Sequence, residues 1–389
     1  MVIGLLLPSL LMYAAHSKSK VFAPKNLFLA LANGLVDLGH TVYVYSSSDT
    51  QTKATLLSGN DALASDSLMS VRLRNLIESE RISITKQELQ SEYELDLTAR
   101  AFADASRKSF DVLHVFSGTY AHYFEGLSTV PTVYTLHDPI IDTKSLDHWR
   151  LQRFSHSHHI AISEYQQKIY TPVVSVVDTV HHGVDCSDYT FFSEPGDSML
   201  FIGRLLQEKG VVDAIESCIT AAVPIRVCGP DNYRKTLFYQ EQLVPRISHP
   251  LVTEYGFLNK EETVAMYGSS RALLFPIHWD EAFGMVMIEA MACGTPVIGY
   301  ARGSVPEIVV DGVTGFIVNE TDTDIRGDFI IKKTGVAGLV EAVQRMKAMK
   351  PEEYIQMRNV CRAHVMKNFS VEKMVAGYER VYTSVVSSQ

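Results

Sequence analysis

Cysteine is scarce in this chain: five residues, odd in number, scattered, and never spaced as Cys-x-x-Cys. Cys186, Cys218, Cys228, Cys293 and Cys361 fall mostly inside apolar runs, where a thiol behaves as a small hydrophobe. That usage argues against secretion and for a reducing, cytoplasmic setting. Basic runs are missing too. No polybasic tract occurs and the formal net charge is -9, so nucleic acid and acidic membrane surfaces are not expected as general partners. No stretch approaches the ~20 apolar residues of a membrane-spanning helix. The opening "MVIGLLLPSLLMYAA" lacks a basic flank and is interrupted at Pro8, which predicts a buried first strand over Val2–Leu7 rather than a signal peptide. There is also no Walker loop, no Gly-x-Gly-x-x-Gly after a strand and no Gly-x-Ser-x-Gly elbow, so those chemistries have no support.

What the chain does have is an ordinary soluble composition, 46% hydrophobic and 20% charged, spread over 389 residues. That length exceeds what one core usually supports and predicts two domains of roughly 180 residues. Short, consecutively apolar runs alternate with helical patterns, as in sheets covered on both faces. The strands predicted are Val2–Leu7, Thr41–Tyr45, Val112–Phe116, Thr132–Leu136 and His159–Ile162, then Met199–Ile202, Ile225–Cys228, Leu273–Phe275, Pro296–Gly299 and Phe316–Val318. The helical period is plainest in "NLFLALANGLVDLGH", stopped by Gly39, and in "VVDAIESCI". Two helices are expected within Ser65–Ser109. The fold class is therefore doubly wound α/β, built twice. A polar, turn-rich stretch, Asp185–Asp197, marks the junction. The domains expected are residues 1–187 and 188–370, with the helical segment 371–389 able to complete the first.

Two strand–loop–helix corners carry the chemistry. In "FPIHWDEAFGMVMIEAMACG" a loop follows Leu273–Phe275 and a helix begins near Phe283. Open α/β sheets bind ligands beyond the carboxyl ends of their strands, where this loop lies. The helix start offers the N–H groups of Phe283, Gly284 and Met285, and Gly284 lets a ligand approach the backbone. Glu281 and Glu289 stand eight positions apart, about 12 Å of rise along a helix, so they can grip two parts of an elongated polyhydroxyl ligand. The plainer alternative is that Glu281 complements the helix dipole and Glu289 faces solvent, but Val286, Met287, Ile288, Ala290 and Met291 leave little room for a wet face. In "FIGRLLQEKGVVDAI", Arg204 and Lys209 bracket the loop after another strand. A guanidinium and an ammonium neutralise a diphosphate without a metal.

Together, "FIGRLLQEKG" and "EAFGMVMIEAMACGTPVIGYARGSVPEIVVDGVTGFIV" resemble the retaining glycosyltransferases of family 4. The resemblance is strong over Met199–Asn319 and weaker over residues 1–185. It implies the GT-B fold, two Rossmann-like domains facing a central cleft, with a nucleoside diphosphate sugar held mainly by the second domain. By this resemblance Arg204 and Lys209 hold the diphosphate, Glu281 the hexose hydroxyls and Glu289 the ribose. The Phe283, Gly284 and Met285 amides take the far hydroxyls of the sugar. Gly203 lies in the phosphate loop, and "YGFL", ending at Leu258, faces the base. His137 of "YTLHD" stands where the family places a histidine near the sugar. A hexose would pass with retention to a hydroxyl acceptor, which is a small molecule, a glycan or a lipid-linked group. UDP is the favoured nucleotide and GDP-mannose the alternative; no metal or other cofactor is expected.

The chain also departs from the family. The first loop, "PSLLMYAAHSKSKVFAPKNL", has none of the usual glycines, leaving Lys20, Lys25 or the Phe22–Ala23 amides as substitutes, and His182 of "HHGVD" replaces an asparagine. Neither "TDTD" (Thr321–Asp324) nor "SHSHH" (Ser155–His159) is expected to bind a metal. Two other functions compete with transfer: a nucleotide-sugar epimerase of similar architecture, and a non-catalytic nucleotide-sugar-binding protein.

Overall fold

A computed structural model describes residues 1–14, 22–64, 79–138, 142–194 and 196–388. The chain forms two compact units. One comprises Met1–Ile162, Gln167–Val180 and Met374–Gln389; the other comprises Ser163–Gln166 and His181–Lys373.

The first unit is built on a sheet of β1 (Val2–Leu6), β2 (Thr41–Ser46), β3 (Thr55–Ser58), β4 (Val112–Val115), β5 (Thr132–Thr135), β6 (His158–Ala161) and β7 (Val176–Thr179). Their order is β3-β2-β1-β4-β5-β6-β7, and every pairing is parallel. Residues Ile3, Leu5 and Leu6 are fully buried, as a strand covered on both faces requires. Full burial of such a side chain contributes roughly 1.5–3 kcal/mol each. The helix Ala23–Asp37 begins with Pro24 in its first turn, where the missing N–H costs nothing. It buries Leu27, Leu31 and Leu35 and gives way to Gly39 at φ 87°. Within Ser65–Ser109 the described part holds one long helix, Ser79–Arg107, and residues 65–78, where the rest of the expectation falls, lie outside the described residues.

The helix Val371–Ser387 buries Met374, Val375, Tyr378, Val381, Tyr382 and Val385. Its Tyr382 hydroxyl lies 2.7 Å from His114 Nδ1, and Thr135 Oγ1 lies 2.8 Å from the other nitrogen of that ring. A β-carbon on Gly34 would lie 2.6 Å from a Val375 methyl, so glycine there is what lets the two helices approach. The last helix thus completes the core of the first unit.

The second unit holds β8 (Met199–Ile202), β9 (Ile225–Cys228), β10 (Val252–Tyr255), β11 (Leu273–Phe275), β12 (Val297–Tyr300) and β13 (Gly315–Val318). Their order is β10-β9-β8-β11-β12-β13, again all parallel. The order reverses between β8 and β11, so the loops leaving these two strands flank the topological switch point. Both predicted corners are those loops. Arg358, fully buried, secures one side of the unit by donating to the carbonyls of Phe192, Gly268, Ser270 and Cys293. A buried guanidinium is tolerable because its donors are met.

Candidate functional site

Backbone contacts bring the two corners together. Gly210, at φ 71°, ends the short 3-10 turn Gln207–Lys209 and starts the helix Val211–Thr220. A β-carbon on it would sit 1.7 Å from the Pro276 carbonyl oxygen. The His278 N–H donates to the Glu208 carbonyl at 3.0 Å. The cation-bearing loop after β8 is thereby pinned along the loop after β11.

This alignment sets Lys209 Nζ 3.0 Å from Glu281 Oε2, with the two side chains 15% and 17% exposed. The Trp279 indole N–H donates to the same oxygen at 3.1 Å. Lys209 Nζ also lies 4.1 Å from the Trp279 ring centroid, and the Arg204 guanidinium carbon lies 5.4 Å from it. Burial lowers the Lys209 pKa, opposed by the Glu281 charge and assisted by Arg204. Trp279 was absent from the residues expected from sequence. An aromatic two positions before Glu281 was the available signal, but a lone tryptophan in a loop has no periodicity to mark it.

The helix start is a little later than expected. Met285–Ala292 is helical and Gly284, at φ 85°, is the residue before its first turn. A left-handed backbone there favours glycine and turns the chain sharply into the helix. The Phe283, Gly284 and Met285 amides therefore precede or open the first turn, where N–H groups lack intrahelical acceptors. A second clamp holds this turn from β12. Ser304 N–H donates to the Glu281 carbonyl at 3.0 Å, and Ser304 Oγ donates to the Phe283 carbonyl at 2.7 Å. A β-carbon on Gly303, at φ 53°, would meet the Glu281 backbone at 2.2 Å. The "ARGS" segment is thus a brace for the acid-bearing turn.

Glu289 lies just over one turn into the Met285–Ala292 helix, and because Glu281 precedes that helix the two acids are not joined by continuous helical rise. Tyr267, nearly inaccessible, donates its hydroxyl to Glu289 Oε2 at 3.0 Å, and Tyr189 also bonds this carboxylate. Burial raises the Glu289 pKa against these bonds. Gly203 donates its N–H to the Cys228 carbonyl at 3.0 Å in the loop after β8. Leu258 is half-buried in the loop between β10 and the helix Lys260–Gly268.

His137 belongs to the first unit. Its Nε2 lies 2.6 Å from the Phe116 carbonyl oxygen, and burial pulls its pKa down to about 4. It is neutral at physiological pH and its Nε2–H donates to that carbonyl. Lys25 donates to the Met12 carbonyl at 2.8 Å, Phe22 precedes the first turn of the Ala23–Asp37 helix, and Lys20 lies outside the described residues. His182 is buried and packs edge-on to Phe283, with centroids 5.2 Å apart. In "TDTD", Asp324 pairs with Arg302 and Arg326, and Asp322 accepts from Thr334. In "SHSHH", His159 is paired with His122 at 3.1 Å and with the Ser157 carbonyl. Both segments are integrated into the fold by these bonds.

The model for glycosyl transferases group 1 matches residues 190–326, which contain both corners, and the model for glycosyltransferase family 4 matches residues 26–188. The chain belongs to the glycosyltransferases of group 1 and family 4. A 131-residue stretch is 35% identical to N-acetyl-alpha-D-glucosaminyl L-malate synthase of Bacillus anthracis, covering 33% of this chain and 30% of that protein. A 164-residue stretch is 30% identical to D-inositol 3-phosphate glycosyltransferase of Mycolicibacterium smegmatis, covering 38% of this chain and 37% of that one. The chain thus matches less than half the length of these curated relatives. Among solved structures, the sucrose-phosphate synthase of Thermosynechococcus elongatus is similar over 100% of both chains, with a TM-score of 0.72 and 17% identity. HepE of Anabaena, solved with UDP and glucose, is similar over 99% of this chain and 100% of its own, with a TM-score of 0.68 and 16% identity. The architecture of this glycosyltransferase-family chain is GT-B. No helix among its described residues is long and apolar enough to cross a membrane.

Proposed function

We propose that this protein transfers a hexose, with retention of configuration, from a nucleoside diphosphate sugar to a hydroxyl acceptor. The observation that carries the reading is the Lys209–Glu281 pair beside Arg204 and next to a helix start, at the switch point of the second sheet. A diphosphate takes the two cations and the sugar hydroxyls take Glu281. The amides of Phe283, Gly284 and Met285 meet the far side of the sugar. Glu289 accepts the ribose hydroxyls, and the backbone ending at Leu258 faces the base.

In the reaction the acceptor oxygen bonds to the donor anomeric carbon on the face from which the diphosphate departs. The bond from that carbon to the diphosphate oxygen breaks, and the departing oxygen takes the acceptor's proton. Arg204 and Lys209 stabilise the charge growing on it, an electrostatic contribution of roughly 2.7–4 kcal/mol per donor in comparable sites. The scheme needs no side-chain base, because the departing oxygen itself accepts the proton. The two cations supply the neutralisation that a metal would otherwise provide. UDP is favoured as the nucleotide, supported by the HepE structure solved with UDP and glucose. The cysteine usage supports a cytoplasmic location.

The test is a panel of nucleotide sugars screened by thermal shift, followed by donor consumption with and without acceptors. A ligand at about 100 times its dissociation constant adds ~2.7 kcal/mol of stability. Arg204 is exposed, so Arg204→Ala is expected to lower turnover by about 100-fold or more while leaving the unfolding midpoint nearly unchanged. Transfer that survives in this variant would refute the assignment. Conversion of the donor's sugar without any acceptor would identify an epimerase.

A further inference from the structure

We infer that Trp279 is the positioning residue of this site: one indole holds the hexose-binding acid through its N–H and both diphosphate-binding cations through its ring. The inference rests on the proposed function and assigns a role to a residue outside the donor-binding set.

Trp279 stands in the loop after β11, two positions before Glu281. Its N–H, the single polar group of an indole, is committed to Glu281 Oε2 at 3.1 Å. The same oxygen receives Lys209 Nζ at 3.0 Å, so one carboxylate oxygen is fixed from two directions. The ring centroid is 4.1 Å from Lys209 Nζ and 5.4 Å from the Arg204 guanidinium carbon, both inside the range over which an aromatic quadrupole attracts a cation. Three side chains from two loops therefore share one rigid partner. Lysine and arginine are long and flexible, and each has many rotamers away from the site. A planar ring between the loops removes that freedom before a ligand arrives, which is how preorganisation raises affinity and rate. It also offsets the repulsion between two cations gathered for one diphosphate.

The two halves of the indole separate experimentally. Trp279→Phe keeps an aromatic face for the cations but deletes the N–H to Glu281. Trp279→Ala deletes both. Calorimetry with UDP and GDP reads the cation function, and consumption of UDP-glucose or GDP-mannose reads the acid function. Trp279→Phe is expected to hold the dissociation constant of the nucleotide within about threefold and to lower kcat about tenfold. Trp279→Ala is expected to weaken nucleotide binding about tenfold or more. Adding Trp279→Phe to Glu281→Gln should cost little beyond Glu281→Gln alone, because the N–H acts through that acid.

Trp149 is the second of the chain's two tryptophans, so Trp149→Phe makes Trp279 the sole indole emitter. Its emission should shift when UDP or GDP saturates the protein, and Lys209→Ala should suppress the shift. The inference is overturned if Trp279→Ala binds nucleotide as tightly as the parent, if Trp279→Phe matches Trp279→Ala in affinity, or if calorimetric binding leaves the Trp149→Phe emission unmoved. If neither nucleotide binds the parent protein, the proposed function itself falls, and this inference with it.

Discussion

Gly210 and Pro276 pass so close that a β-carbon on the glycine would lie 1.7 Å from the proline's carbonyl oxygen. Their contact packs the cation loop directly against the acid loop. Gly210→Ala must shift one backbone and also strain a left-handed φ of 71°. The expected cost is about 3 kcal/mol in urea unfolding, with nucleotide affinity lost in whatever fraction stays folded. A variant with unchanged midpoint and affinity would show that the loops are aligned by something else.

Lys209 supplies a pH dependence with a defined sign. Burial lowers its pKa, so its charge is lost at a lower pH than for an ordinary lysine at ~10.4. Diphosphate binding should weaken on the alkaline side before that value is reached. Lys209→Arg stays charged throughout this range and should abolish the alkaline limb. Calorimetry of UDP binding from neutral pH upward checks both points.

Tyr267 tunes Glu289 from the opposite direction. Burial raises the carboxyl's pKa, while the Tyr267 and Tyr189 hydroxyls bring it back toward the usual range. Tyr267→Phe should raise it further, so the acid limb of donor binding moves to higher pH. Fully ionised Glu289 would then be reached only at more alkaline pH, and near-neutral affinity should fall by about fivefold for one lost hydrogen bond. An unmoved acid limb would remove Glu289 from the donor contacts.

Four histidines in the first unit predict its acid sensitivity. Burial lowers His114 and His122 to about 3, and His137 and His159 to about 4. Each is depressed below the unfolded value of ~6.5, so the unfolded chain binds more protons between. Stability is therefore complete above ~6.5 and is lost as pH falls toward the folded values. His122 is the most instructive. It stacks on Tyr134 with centroids 4.0 Å apart, and among the described residues its Nδ1 has no partner. His122→Phe keeps the stack and should reduce the acid slope of stability by about one proton, measured by urea unfolding between pH 7 and 4.

The legible part of the fold was the part buried on both faces. Strands β1, β8 and β11 are consecutive apolar runs and β4 is broken only by His114, and the four place the switch points. The strands missed were β3 (Thr55–Ser58), β7 (Val176–Thr179) and β10 (Val252–Tyr255), each at a sheet edge and half-exposed. An edge strand needs less apolar surface, so it loses the run that betrays a central one. Among the candidate residues, Arg204, Lys209 and Glu281 stand out in the sequence because charge in a strand–helix loop is conspicuous, and Glu289 because it interrupts an apolar helix. Trp279 and Ser304 do not, because the Trp279 ring meets the two cations, and Ser304 the Glu281 turn, only once β8, β11 and β12 lie side by side. Gly284 was recognised as an approach point, and its φ of 85° explains why the helix begins at Met285.

The helix Val371–Ser387 brings hydroxyls to His114 and Thr135, far earlier in the chain. Cutting the gene after Val180 would therefore yield a front fragment with an unplugged core and with His114 Nδ1 stripped of its tyrosine partner. A laboratory wanting that portion by itself should splice Met374–Ser388 onto Val180 through a short flexible tether, restoring Tyr378 and Tyr382 to their partners.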